Sequence, residues 1–179
     1  MIETEIPTRD RWTLYSHYLS NAESYQTSYL NMCDVTSFQD FGRMWNHTHP
    51  KLIGDASRIV QIQGRRVTSW SFFKNDISPE WEHPENACGL TFSVRTTMSP
   101  DDAYNLWESL VTACVLSNHP ETLNGVQLSR KSGHVRPHEP GLFMKCDLWF
   151  SPSADHNSAA AWIADTFPTY SFTQVVRSR

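Results

Sequence analysis

Polar and apolar positions alternate from Trp12 to Tyr18, so that Trp12, Leu14, Ser16 and Tyr18 share one face of an expected strand. A loop from Leu19 to Gln26 follows, and Tyr29 to Cys33 reads as a second strand. At Thr36–Ser37 the period changes to that of a helix. Gln39 and Asp40 stand three residues after the two candidate caps, as a capping box requires, and Phe38, Phe41, Met44 and Trp45 form the expected buried stripe. Gly42 is an unusual guest in such a helix, at a cost of ~1 kcal/mol against Ala. Pro50 to Arg66 shows no decisive period. Val67 to Lys74 predicts a strand that runs into the loop NDISPEWEHPEN, and Leu90, Phe92 and Val94 line one side of a strand from Leu90 to Arg95. The clearest helix is Asp101 to Leu116. Ser99 is its N-cap, Pro100 takes the first position, Asp102 completes the box, and Ala103, Leu106, Trp107, Leu110, Val111 and Cys114 make its apolar face. Strands Gly125–Arg130 and Leu142–Phe150 flank a polar loop containing Gly and Pro. A short helix, Ser158–Asp165, and a last strand, Tyr170–Arg177, complete the chain.

Strands interrupted by three helices, without strict alternation, predict an α+β fold: a curved, largely antiparallel sheet with about three helices packed on its convex face. The 179 residues suit a single domain over 1–179, with residues 1–10 expected as a flexible tail. The chain is 39% hydrophobic and 12% aromatic, enough apolar material for a core. Mean hydropathy is -0.49 and no apolar run approaches the ~18–20 residues of a membrane span. The N-terminus MIETEIPTRDRW has neither a basic start nor an apolar stretch, so the expected location is cytoplasmic, with no membrane partner. Cys33, Cys88, Cys114 and Cys146 are widely spaced, with no C-x-x-C, and read as small buried hydrophobes rather than metal ligands. The net charge of -4 excludes broad, non-specific capture of a nucleic-acid backbone. Any nucleic-acid contact must rest on local chemistry.

The informative chemistry lies in WSFFKNDISPEWEHPENACG, residues 70–89, which delivers Trp81 and Glu82 in a proline-flanked loop after a strand. By itself this Trp reads as a residue packed over the sheet edge, since large aromatics are usually covered. The histidines invite a metal hydrolase built from His47, His49, His83, His134 and His138. However, no H-E-x-x-H, P-loop, G-x-S-x-G or glycine-rich nucleotide motif is present, and a non-enzyme with no metal and no cofactor is expected.

The stretch resembles the signature of the cap-binding translation initiation factor 4E family. There a strand ending in Phe-Lys leads through Ile-x-Pro to Trp-Glu, with an Asn five residues after the Trp; Phe73, Lys74, Ile77, Pro79, Trp81, Glu82 and Asn86 match. Arg11-Trp12-x-Leu14, Asp40-Phe41, Asn46-His47, Trp107, Asn124-Gly125 and Asp147-Leu148-Trp149 fall into register, so the resemblance covers nearly the whole chain. It implies a binder of the 7-methylguanosine cap of mRNA in translation initiation. A 7-methylguanine ring is cationic, and an aromatic sandwich gains stacking plus cation–π attraction. A carboxylate can then accept two hydrogen bonds from the guanine edge. Carried over, Trp81 is one slice of the sandwich, Glu82 reads the base edge, and Tyr25 stands where the family has a second Trp. Trp149 matches the Trp that touches the methyl group; the plainer reading makes it a core residue. Lys145 matches a phosphate-binding Lys. The family's phosphate-binding Arg has three candidates here, Arg130, Lys131 and Arg136, each of which reads alone as a solvated basic residue.

Departures from the family pattern lie on the back of the sheet. There the resemblance implies a site for a scaffold protein of the initiation factor 4G type, built from a Val, an exposed Trp and two Leu. The matching positions are Phe38, Gly42, Glu108 and Thr112, so weak binding of the usual scaffold motif, or a replacement partner, is expected. With Tyr25 and the displaced basic residues, this keeps open an alternative: a protein-interaction or translational-repressor module of the same fold with weak or no cap binding. A hypermethylated cap is a further candidate ligand.

Overall fold

A computed structural model of the chain describes residues 4–18, 28–48, 61–131 and 142–175. The alternating N-terminal segment forms strand β1, Pro7–Tyr18. It begins five residues before the predicted start, because Pro7 already pairs with Ser37 of β2, Tyr29–Ser37. Pro7–Asp10, expected as part of a tail, are therefore strand. Helix α1, Phe38–His47, starts where predicted. The Ser37 hydroxyl accepts the Asp40 amide at 3.1 Å, and the Asp40 carboxylate in turn accepts the amide and hydroxyl of Thr36. Its expected stripe is only partly covered: Met44 is buried, Phe41 and Trp45 are half-buried, and Phe38 is exposed.

The stretch without a clear period contains a tight hairpin. Strand β3, Gln61–Ile62, pairs with β4, Arg65–Lys74, through Gln63 and Gly64, whose φ values of 52° and 74° suit a two-residue hairpin turn. Strand β5, Thr91–Met98, leads into α2, Pro100–Val115, capped by Ser99, and every predicted apolar-face residue of that helix is buried. Strands β6, Leu123–Arg130, and β7, Leu142–Phe150, are followed by α3, His156–Thr166, with Asp155 as cap. The last strand, β8, is Thr173–Gln174, shorter than predicted.

The sheet is antiparallel in every pairing, in the order β2-β1-β4-β6-β7-β5-β8, with β3 attached to β4. Alternation divides it into two faces. Leu14, Phe72, Val126, Leu148 and Phe92 lie side by side across β1, β4, β6, β7 and β5, with Trp70, Leu128, Cys146 and Val94 in the next row. These residues join Leu106, Leu110 and Val111 of α2 and Ile163 of α3 in one buried cluster, the main core on the convex side. Cys114 and Cys146 are buried in it, whereas Cys33 is half-buried and Cys88 exposed, so the expectation of small buried hydrophobes holds for the first pair alone. No helix among the described residues is long and apolar enough to cross a membrane.

Candidate functional site

The opposite face of the sheet carries three rows, set by strand register. Thr13, Phe73, Gly125, Trp149 and Thr91 form the first; Tyr15, Ser71, Gln127, Asp147 and Ser93 the second; His17, Ser69, Ser129, Lys145 and Arg95 the third. The first row is apolar at its centre. Gly125 is required there, because a Cβ would collide with the Phe73 ring. Phe73 meets Trp149 edge-on at 5.3 Å, and with Tyr15 and Ile77 they form a small second core.

The loop after β4 sets Trp81 over this cluster. Asn75 and Asp76 turn the chain with φ of 51° and 64°, and Ile77 is buried. The Asn86 amide then ties the loop shut, donating to the carbonyls of Ser78 at 2.9 Å and Glu80 at 2.8 Å, while its oxygen accepts from Asn124 at 3.1 Å. The Asn five residues after the Trp is thus the clasp of the loop. Glu80 accepts the Tyr29 hydroxyl at 2.7 Å, and burial together with that carboxylate raises the phenol's pKa. Held in this way, Trp81 lies flat on Trp149, with ring centroids 3.4 Å apart and planes 15° from parallel. Trp149 is buried beneath it. Glu82 is exposed in the turn beyond, and its carboxylate makes no hydrogen bond or ion pair with described residues.

A cavity of about 490 Å³ opens beside Trp81, with Gln127, Ser129, Lys131, Lys145 and Asp147 among its lining. Its size falls within the ~300–1,000 Å³ of small-molecule sites. Lys145 pairs with the buried Asp147 at 2.7 Å, and Asp147 also accepts the Ser93 hydroxyl. Burial and the nearby Lys145 lower the pKa of Lys131. Deeper in the sheet, His17 bonds the Ser71 hydroxyl at 2.7 Å, and burial pushes its pKa down to about 4, so its ring is neutral.

The structure therefore brings Trp81, Trp149, Lys131 and Lys145 to one face. Arg130 alternates to the other face, opposite Met144, and does not line the cavity. Tyr25 and Arg136 lie outside the described residues. On the back, Phe38 and Gly42 lie one turn apart on α1, and Glu108 and Thr112 one turn apart on α2. The helices meet through Trp45 and Tyr104 at 5.8 Å. Space beyond the Gly42 Cα is open. Among the described residues, no cluster of His, Cys, Asp and Glu could hold a metal.

Sequence reasoning missed the polar floor: Ser69, Ser71, Gln127, Ser129 and Asp147. Ser69 and Ser71 on β4, and Gln127 and Ser129 on β6, sit two residues apart, and Asp147 sits two from Lys145 on β7, a spacing that reads as a solvated face until the bowl of the sheet covers it.

The profile of the family Eukaryotic initiation factor 4E matches residues 7–168. Relatives include eukaryotic translation initiation factor 4E of Dictyostelium discoideum, 29% identical over 71% of this chain and 49% of that protein, and that of Saccharomyces cerevisiae, 27% identical over 71% and 57%. The chain thus spans about half the length of the curated relatives it matches. Among solved structures, Ascaris suum eIF4E-3 with m7G cap superimposes with a TM-score of 0.73 at 16% identity, covering 98% of this chain and 93% of that one. Schistosome eIF4E complexed with m7GpppA and 4E-BP gives 0.70 at 19% identity, covering 97% and 90%. At these identities the structures speak for the fold. The profile match, spanning most of the chain, carries the further conclusion that this protein belongs to the eukaryotic initiation factor 4E family.

Proposed function

We propose that the protein binds the 7-methylguanosine cap of mRNA in the cytoplasm as a factor of translation initiation, without catalysis, cofactor, metal or membrane. The observation that carries this reading is that Trp81, Lys131 and Lys145 line one cavity. An indole face suits a cationic methylated base, and two ammonium groups suit the phosphates that follow it. Glu82, whose acceptors are not engaged by described residues, supplies the carboxylate for the guanine edge. Trp149 supports Trp81 from below, and Tyr25 is the second slice of the sandwich. Arg136 or Lys131 completes the phosphate end; Arg130, on the other face, is the least suited of the three candidates.

Solved relatives hold cap analogues and 4E-binding proteins, which supports a cap ligand together with a protein partner for this chain. That partner is a scaffold of the initiation factor 4G type or a replacement for it, seated across Phe38, Gly42, Glu108 and Thr112.

One observation favours the second reading, an interaction or repressor module with weak cap binding. Trp81 is stacked on Trp149, so one of its faces is already covered. A tryptophan-fluorescence titration with 7-methyl-GTP, a hypermethylated cap and GTP separates the two. Saturable quenching by a methylated nucleotide and not by GTP supports cap binding. No quenching by any of the three at low salt leaves the interaction module as the function.

A further inference from the structure

A stacking platform on a loop serves a ligand best when the loop is already held in its bound position. The Asn86 clasp ties the loop between β4 and β5 to itself and, through Asn124, to β6. A second tie runs to the other side of the sheet. The Tyr29 hydroxyl, at the start of β2, donates to Glu80 Oε1 at 2.7 Å, and Ser78 Oγ donates to Glu80 Oε2 at 3.3 Å. Glu80 immediately precedes Trp81, and Tyr25 stands four residues before Tyr29 in the chain.

Packing aims the Tyr29 phenol at this carboxylate. Tyr29 lies opposite His17 in the β1–β2 register, so it closes the third concave row at its outer end. Its ring meets Tyr15 edge-on at 5.5 Å and His17 at 5.7 Å, and it packs, as Trp81 does, against the small second core. The ring alone would satisfy that packing; the hydroxyl adds the bond to Glu80. Hydrogen bonds to an ionised acceptor are roughly twice as strong as neutral ones. Neither Tyr29 nor Glu80 lines the cavity beside Trp81, so any effect of the pair on a ligand there must pass through Trp81.

We propose that Tyr29 is a positioning residue: its bond to Glu80 latches the Trp81 loop to β2, so that Trp81 is seated before a methylated base arrives. The role in ligand binding rests on the cap-binding reading, whereas the seating of Trp81 on Trp149 is a property of the free chain. A latched loop spares the ligand the cost of ordering it. An unlatched loop lowers the apparent affinity by the fraction of molecules in which Trp81 is in place.

The test uses two readouts. Stacked indoles couple their transitions and give a paired circular-dichroism band, which reports the Trp81–Trp149 stack with no ligand present. Stopped-flow binding of 7-methyl-GTP reports the consequence for the ligand. Tyr29→Phe keeps the ring and removes the hydroxyl. It should weaken the band and reduce affinity about 10-fold, through the association rate with dissociation unchanged. Glu80→Ala should do the same, and the double variant should be no worse than either alone. Glu80→Gln, whose amide oxygen still accepts the bond, should keep the band and stay within about 3-fold of the original affinity. An unaltered band or an unchanged affinity in Tyr29→Phe would overturn the latch, as would losses that add in the double variant. A loss confined to the dissociation rate would make Tyr29 a contact of the ligand and overturn its positioning role. If the unaltered protein does not bind 7-methyl-GTP, the cap-binding reading falls, and the latch stands or falls on the band alone. Glu80→Ala carries the test if Tyr29→Phe fails to fold.

Discussion

Trp81 stacks on Trp149 over the small second core and lines the cavity, and Asn86 ties its loop shut. Replacing Trp81 with Ala should lower affinity for 7-methyl-GTP by about 5–150-fold, the value of one stacked base face. Glu82→Gln should cost about 10–100-fold, the scale of charge-assisted hydrogen bonds, and reduce the preference for guanine over adenine. Both effects are read by equilibrium titration, and unchanged affinity in both variants would refute the assignment. His17 makes a separate prediction about stability. Its folded pKa, about 4, lies below the ordinary 6.5, so between these values the unfolded chain binds a proton that the folded chain does not. Stability contributed by neutral His17 is therefore complete above pH 6.5 and declines as pH falls towards 4, by up to about 3 kcal/mol. His17→Gln should flatten the chemical-denaturation profile over that window. An identical pH slope in the variant would show that another group dominates; His119, whose pKa burial also lowers, is the next candidate.

At the scale of elements, the helix caps were readable because they are local. Ser37 and Ser99 bond amides three residues on, and such pairs are written directly in the chain. Strand β7 was legible from end to end, because apolar Met144, Cys146, Leu148 and Phe150 recur at every second position along it. Strands β1 and β2 extend beyond their apolar patterns because their outer parts are held by pairing with each other, which alternation does not report. The close pass of β6 over β4 depends on Gly125. Gly125→Ala would drive a methyl into the Phe73 ring and should cost about 1–3 kcal/mol while disturbing Trp149 above it. Thermal unfolding would show the loss, and a shift in Trp emission would report the disturbed cluster. A fully stable variant with native emission would contradict the packing described.

For the whole molecule, the two faces of the sheet diverge. The concave face keeps an aromatic pair and two lysines, while on the convex back the space at Gly42 is open and positions 108 and 112 carry the polar Glu108 and Thr112. A helical peptide bearing the usual scaffold motif should bind weakly, because interface energy concentrates in a few aromatic and aliphatic anchors. Restoring them together, as Gly42→Trp with Glu108→Leu and Thr112→Leu, should raise affinity at least about 10-fold in a fluorescence-polarisation titration. Tight binding by the unaltered chain would sink this reading of the back face.

The sequence by itself determined the helices, their caps, most of the strands, the α+β class and the Trp81–Glu82 loop. Each depends on residues a few positions apart, whose spacing is set by backbone geometry. Only the tertiary structure decided what crosses the sheet. The stacking of Trp81 on Trp149, the turning of Arg130 away from Lys131 and Lys145, and the gathering of Gln127, Ser129 and Ser69 on one polar floor all follow from strand register and curvature. Polar residues two apart on a strand look the same whether they face water or the inside of a bowl, and the difference exists only once distant strands have paired.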